Sequence, residues 1–208
     1  DFGEVWETLS IITKPYPCCH FTHAPIDAVL CFRREVLPDL NGGLDEIESI
    51  QVGVPEEALN VVCEPWHEKM NPSNAYAAKF SLPYCVAAAL TTGVIQHDVF
   101  DVPVAKRIRE VMKLVSYRLD RTGALAPTYG ARVTIRVRNR KATRYEVLWP
   151  LGSRANPMDI GQVREKFRAE VSEVLSPNQI ELIRQRVIDP VMETEEVSKL
   201  TDLTSTTM

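Results

Sequence analysis

The sequence has 208 residues, 45% hydrophobic and 25% charged, a composition typical of a globular domain with its own core. Its 24 Lys and Arg residues against 28 Asp and Glu give a net charge of -4, so neither nucleic acid nor an anionic membrane is expected as a partner. No apolar run approaches the roughly 20 residues that span a bilayer, and five irregularly spaced cysteines favour reduced thiols.

The first part of the chain predicts a helix followed by a strand. Thr22 can cap a helix after the turn at Pro15 and Pro17, and Asn41-Gly42-Gly43 would end this helix. The apolar positions of the helix recur at intervals of three and four residues: Ile26, Val29, Leu30 and Leu37. The strand is predicted from apolar residues that alternate with Gln and Gly: Ile50, Val52 and Val54.

Two further helices are predicted in the middle of the chain. Asn71-Pro72 is a suitable start for a helix that runs from near Ser73 to Gly93, with a kink at Pro83. Residues 102–115 are predicted as the next helix because their apolar side chains share one helical stripe. The stripe consists of Val104, Ile108, Val111, Met112 and Val115.

The remaining segments predict a β-hairpin and two helices. Apolar and polar residues alternate over 132–138 and 145–149, on either side of the polar turn 139–141. A helix after Asn156-Pro157 has an apolar stripe of Ile160, Val163, Phe167, Val171 and Val174. Ser176-Pro177-Asn178-Gln179 has the form of a capping box for a last helix. The predicted fold is α+β, a small, largely antiparallel sheet covered by helices.

The densest group of reactive side chains precedes the first helix. Residues 14–23 read Lys-Pro-Tyr-Pro-Cys-Cys-His-Phe-Thr-His and combine an amine, a phenol, thiols and imidazoles. A lysine ammonium here can bind a substrate carboxylate or deliver a proton. The alternative is a proline-stiffened connection whose aromatic and cysteine side chains pack in the core. A metal site is disfavoured because zinc ligands are usually separated by intervening residues, whereas these cysteines are adjacent.

Polar side chains also interrupt the apolar helix predicted over 73–93. Lys79, Ser81 and Tyr84 lie on this helix, and polar groups that are buried need hydrogen-bond partners. They either bond to neighbouring backbone, which is the commoner arrangement, or line a ligand pocket. Both interpretations remain open from the residue types.

Three ordered motifs carry a resemblance to a known family. The first is Lys14-Pro-Tyr-Pro-Cys followed by Phe21-Thr-His-Ala-Pro-Ile-Asp-Ala. The second is Ala78-Lys-Phe-Ser-Leu-Pro-Tyr-Cys-Val-Ala-Ala-Ala-Leu90, with Gly93 and Phe100 after it. The third is Pro150-Leu-Gly-Ser-Arg-Ala-Asn-Pro157 with Lys166-Phe167. Together they resemble the MmgE/PrpD family, which includes 2-methylcitrate dehydratase, cis-aconitate decarboxylase and iminodisuccinate epimerase.

The resemblance implies that residues 1–200 form the second, α+β domain of a two-domain enzyme and that 201–208 are a polar tail. The helical amino-terminal domain of the family is not in this chain. The implied reaction is the dehydration or decarboxylation of a small polycarboxylate without a metal or other cofactor. Alternatives are an epimerase of the same family, or a non-catalytic ligand-binding or dimerisation module. A homodimer is expected, in the cytoplasm or, in a eukaryote, in the mitochondrial matrix.

The resemblance also implies roles for individual residues. The catalytic candidates are Lys14 as clamp or proton donor, His20 or His23 as acid or base, and Tyr84 as hydrogen-bond donor to the substrate. The substrate-binding candidates are Lys79, Ser81 and Cys19. A family histidine falls at Cys19, with His20 next to it, so either residue is a candidate for its place.

Overall fold

The computed structural model describes residues 3, 4, 6, 11–100 and 103–188. The chain forms two compact units, Asp1–Pro157 and Met158–Met208. The predicted polar tail lies outside the described residues, and the predicted division into residues 1–200 and a tail stays a prediction. In the described part of the chain, no helix is both long enough and apolar enough to cross a membrane.

The first unit contains most of the regular structure. Its helices are α1 (His23–Glu35), α2 (Glu56–Ala58), α3 (Trp66–Met70), α4 (Ala75–Lys79), α5 (Leu82–Thr92) and α6 (Lys106–Met112). Its strands are β1 (Ile47–Val54), β2 (Val115–Leu119), β3 (Ala131–Val137) and β4 (Thr143–Val147). The second unit contains α7 (Ile160–Val171) and α8 (Pro177–Ile188).

The four strands form one sheet in the order β2-β1-β3-β4. β1 is parallel to β2 and antiparallel to β3, which in turn is antiparallel to β4. Val52 is opposite Tyr117 of β2 on one side and Val133 of β3 on the other. The predicted α+β class and the largely antiparallel sheet are therefore confirmed.

The core of the first unit lies between the sheet and α1 and α5. The alternation predicted for β1 and β3 places Ile50, Val52, Val133 and Ile135 in this core, each at most 1% exposed. α1 packs against β3, β4 and α5, and α5 also packs against α6. Because α5 is apolar on nearly all sides, it is suited to this central position.

The helix predicted over 73–93 is in fact two helices, α4 and α5. They are separated at Phe80 and Ser81, and the Ser81 side chain caps α5 by accepting a 3.1 Å hydrogen bond from the amide of Tyr84. Pro83 lies in the first turn of α5, where its missing N–H would have had no helical partner. It therefore helps to start a helix and does not kink one, which corrects the prediction.

Other predicted boundaries also change. α1 ends at Glu35, and Leu37 belongs to a separate 3-10 turn, Leu37–Asp39. The helix predicted up to Val115 ends at Met112, because Val115 begins β2 opposite Ile50. Residues 101 and 102, at the start of that predicted helix, lie outside the described residues.

The two described helices of the second unit, α7 and α8, each begin with a capping box. The amide of Gln162 donates to Asp159 Oδ1 at 2.8 Å, and the amide of Asp159 donates to Gln162 Oε1 at 2.9 Å. In the predicted box, the amide of Ser176 donates to Gln179 Oε1 at 3.0 Å and the amide of Gln179 donates to Ser176 Oγ at 3.4 Å. The start predicted for the last helix is therefore confirmed.

Candidate active site

The loop before α1 folds back on itself at Lys14. The ammonium group of Lys14 donates a 3.2 Å hydrogen bond to the carbonyl oxygen of Cys18, and the amide of Cys18 donates to the carbonyl of Tyr16 at 2.9 Å. Pro15 and Pro17 restrict the backbone on either side of Tyr16. Lys14 is exposed, so its ammonium group lies at the surface of the first unit.

A backbone hydrogen bond brings the two sequence clusters together. The amide of Cys19 donates to the carbonyl oxygen of Lys79 at 3.0 Å. Lys79 is the last residue of α4, and Ser81 follows as the cap of α5. The segments 14–23 and 78–84, which carry the predicted site residues, are therefore in contact at Cys19 and Lys79.

His20 lies half-buried at the centre of this region. Its ring centroid is 4.9 Å from that of Tyr129 and 4.7 Å from that of His23, and its Nε2 atom is buried with no hydrogen-bond partner among the described residues. Burial, followed by the nearby His23 and Lys14, lowers the pKa of His20 to about 4. The imidazole is therefore neutral near pH 7.

His23 lies deeper, inside the core. It is 0% exposed, its Nε2 atom is 3.3 Å from the carbonyl oxygen of Cys18, and its ring meets the edge of Tyr16 at 5.2 Å. Its Nδ1 atom has no hydrogen-bond partner in the described part of the chain. Of the two predicted histidines, His20 is the one near the surface.

Tyr84 and Ser81 are buried and bonded to backbone. Tyr84 is 1% exposed, and its hydroxyl group donates to the carbonyl oxygen of Val99 at 2.5 Å. Ser81 is 0% exposed, and its hydroxyl group donates to the carbonyl oxygen of Lys69 at 2.6 Å. Both hydroxyl groups therefore bond to backbone carbonyls, which is the commoner arrangement for polar residues in an apolar helix. The catalytic role of Tyr84 and the substrate-binding role of Ser81 stay predictions.

Lys79 provides a second ammonium group, next to His97 and Phe100. Its Nζ atom lies 3.2 Å from Nδ1 of His97 and 5.7 Å from the ring centroid of Phe100. The side chain is half-buried, so the charge is held against a ring and is still open to solvent. This position is compatible with the predicted contact to a substrate carboxylate.

Lys69 is a third cation, which the sequence did not single out. Its ammonium group donates to the carbonyl oxygen of Val61 at 2.7 Å. Burial raises the pKa of the Cys19 thiol, and the charges of Lys14 and Lys69 oppose this rise, so both lysines lie near Cys19. Within the described ranges, none of Lys14, Lys69 and Lys79 has a carboxylate at ion-pair distance.

Two further cysteines form a buried thiol pair beneath the loop. The Cys18 thiol lies 3.2 Å from Oγ1 of Thr22 and interacts with the buried thiol of Cys85. The interaction with Cys85, helped by His23 and Thr22, lowers the pKa of Cys18, whereas burial raises that of Cys85. Among the described residues, no group of His, Cys, Asp and Glu side chains is arranged to hold a metal ion.

A groove elsewhere on the first unit is less suited to an anionic ligand. It has a volume of about 410 Å³ and is lined in part by Glu56, Glu57, Asp120 and Arg121. None of the predicted site residues lines it. Carboxylates in its wall repel a polycarboxylate, whereas the lysines around Cys19 attract one. The chemistry therefore favours the region around Cys19 over this groove.

Comparison with known proteins gives a family and one relative. The MmgE/PrpD C-terminal domain matches residues 16–190 of the chain. The chain is also similar to cis-aconitate decarboxylase from Aspergillus terreus (strain NIH 2624 / FGSC A1156), with 25% identity over 211 residues. This similarity covers 97% of the chain and 41% of the relative, so the chain spans less than half of that protein's length.

Proposed function

Because this chain belongs to the MmgE/PrpD family, we propose that the full-length protein is a lyase that acts on a small polycarboxylate without a metal. The two proposed reactions are the dehydration of 2-methylcitrate and the decarboxylation of cis-aconitate. The name of the relative from Aspergillus terreus supports the second. The proposed site is the region around Cys19, with Lys14, Lys69, Lys79 and His20.

The observation that carries the proposal is the set of lysines around Cys19: the charges of Lys14 and Lys69 act on its thiol, and the backbone carbonyl of Lys79 accepts from its amide. Lys14, Lys69 and Lys79 donate to backbone or face rings, and no carboxylate of the described residues neutralises them. A protein with a net charge of -4 has no general attraction for anions, so it needs a local group of cations to hold one. A di- or tricarboxylate matches such a group in charge.

Each proposed reaction requires an acid or a base beside a bound carboxylate. In a decarboxylation, the bond between carbon and a carboxylate breaks, carbon dioxide leaves, and the electron pair left on carbon takes up a proton. The Lys14 ammonium is suited to donate that proton. In a dehydration, a base removes a proton from carbon and an acid protonates the departing hydroxyl group. Neutral His20 is suited to be the base, and Lys14 to be the acid.

The second candidate within the family is an epimerase, which needs the same base but neither loss of water nor loss of carbon dioxide. The candidate from another class is a non-catalytic module that binds a small ligand or joins subunits. We also propose a homodimer and a cytoplasmic or mitochondrial-matrix location. These proposals rest on the family resemblance alone.

Product analysis of the full-length protein tests the proposal. It is incubated separately with cis-aconitate and 2-methylcitrate in deuterated water, and the products are followed by NMR. A five-carbon dicarboxylate with carbon dioxide supports decarboxylation, and an unsaturated tricarboxylate from 2-methylcitrate supports dehydration. Saturable binding without any turnover or deuterium uptake would contradict the enzyme proposal and favour the non-catalytic module.

A parallel assay of the 208-residue chain tests whether these residues contain the whole active site. The chain spans 41% of its relative, and the family resemblance implies an active site in a cleft between two domains, so we expect these residues alone to be inactive. Turnover by the 208-residue chain at the rate of the full-length protein would show that the site lies entirely within it.

A further inference from the structure

We propose that Tyr129 is a positioning residue for His20. The ring of Tyr129 orients the imidazole of His20 and shields it from water. The inference rests on the proposed function only in assigning acid-base chemistry to His20. Nothing in the sequence motifs or in the family resemblance singles out Tyr129. It belongs to the turn between β2 and β3, far along the chain from the loop that carries His20.

The rings of Tyr129 and His20 are stacked. Their centroids are 4.9 Å apart and their planes differ by 27°. The same phenol ring contacts Phe21 at 5.0 Å, next to His20 in the chain. His20 therefore contacts Tyr129 as well as His23, whose centroid is 4.7 Å away, so little freedom of rotation remains for its imidazole.

The backbone of Tyr129 is held in an uncommon conformation. Its φ of 56° and ψ of 29° lie in the left-handed region, which a bulky residue adopts only where the surroundings require it. The next residue, Gly130, donates from its amide to the carbonyl of Leu125 at 3.0 Å. A Cβ atom at Gly130 would lie 2.8 Å from the carbonyl oxygen of Val147, so the turn is fixed closely against β4.

This geometry has a chemical consequence for His20. The titratable groups that face its imidazole are Lys14 from the loop, His23 from α1 and the phenol of Tyr129. Burial is the main reason that the pKa of His20 falls to about 4, and the stacked ring of Tyr129 supplies part of that burial. Removal of the ring therefore admits water and favours the protonated imidazole.

The test replaces Tyr129 by residues that accept its backbone conformation. Tyr129→Asn and Tyr129→Gly remove the ring and tolerate a left-handed φ, whereas Tyr129→Phe keeps the stack. Tyr76→Ala, at a tyrosine that is 72% exposed, is the matched control. The His20 ring resonances of the 208-residue chain are titrated by NMR in each variant.

We expect the pKa of His20 to rise by about one unit or more in Tyr129→Asn and Tyr129→Gly, and to stay unchanged in Tyr129→Phe and Tyr76→Ala. In the full-length protein, the acidic limb of the pH profile of kcat/KM should move to higher pH in Tyr129→Asn and Tyr129→Gly. In Tyr129→Phe it should stay at its wild-type position. If the pKa of His20 is the same in Tyr129→Asn, Tyr129→Gly and the wild type, the inference is overturned. Full activity of His20→Gln would instead contradict the role proposed for His20, so the two failures are distinguishable.

Discussion

The hydroxyl group of Tyr16 donates a 2.6 Å hydrogen bond to Oδ1 of Asp27, one turn into α1. The other carboxylate oxygen, Oδ2, accepts a 2.8 Å hydrogen bond from the amide of Leu151. Asp27 therefore joins the loop of Lys14 to the segment that follows β4. This side chain thus helps to fix the loop that carries most of the candidate site.

Loss of the Asp27 carboxylate should destabilise the first unit. Asp27→Ala leaves the Tyr16 hydroxyl and the Leu151 amide without their acceptor, and we expect a loss of about 2–4 kcal/mol in the free energy of unfolding. Tyr16→Phe removes one bond and should cost about 1 kcal/mol. Urea unfolding measures both. An Asp27→Ala variant as stable as the wild type would show that the bridge contributes nothing.

Asp27 should also make stability depend on pH. Burial raises its pKa above 3.8, more than the bonds from Tyr16 and Leu151 lower it. The folded protein then binds this proton more tightly than the unfolded chain, so the free energy of unfolding falls as pH rises from about 4 through the raised pKa. Asp27→Asn should remove this decline, whereas Asp39→Asn, at an exposed carboxylate, should keep it. Urea unfolding at several pH values decides between these outcomes.

Arg33 should stabilise the end of α5. Its Nη1 atom donates to the carbonyl oxygens of Leu90 at 2.7 Å and Thr91 at 3.2 Å, which have no later helical partner. Arg33→Met keeps the stem and removes the donors, at an expected cost of about 2 kcal/mol. Arg34→Met is the control, because the Arg34 side chain is 71% exposed. Equal melting temperatures for the two variants would contradict the prediction.

The sequence predicted elements well where one interaction determines them. The alternation of Ile50, Val52 and Val54 produced β1, and Ser176 with Gln179 produced the start of α8. It failed at Val115, where an apolar residue fits the stripe of a helix as well as the buried face of a strand. The pairing of β2 with β1 decides that position, and such a pairing is not encoded locally.

The residues of the candidate site also differ in whether the local sequence could identify them. Residues such as Lys14 and His20 stood out because reactive side chains are close together in the sequence. Lys69 and Tyr129 are single residues in ordinary surroundings, and they reach the site only through tertiary contacts. No local pattern could have identified them.

Lys14 should be required for turnover but not for folding. In the full-length protein, Lys14→Ala should lower kcat about a hundredfold or more, the scale expected when a positioned acid is removed. Among the described residues, the Lys14 side chain makes only a 3.2 Å hydrogen bond to the carbonyl oxygen of Cys18, so the melting temperature should change little. Lys113→Ala, at another exposed lysine, is the control. Unchanged kcat would remove Lys14 from the catalytic residues, and loss of folding would assign it a structural role.

Lys69 and Lys79 should act mainly in binding. In the proposed site each half-buried ammonium group holds a substrate carboxylate, so Lys69→Met and Lys79→Met should each raise KM for the polycarboxylate about tenfold. Because a carboxylate that does not react is bound equally in the ground state and the transition state, kcat should change less than KM. Added salt should raise the wild-type KM, and this dependence should be weaker in both variants. Lys113→Met should match the wild type in all three measurements. If KM and its salt dependence are the same in Lys69→Met, Lys79→Met and the wild type, the substrate is held elsewhere.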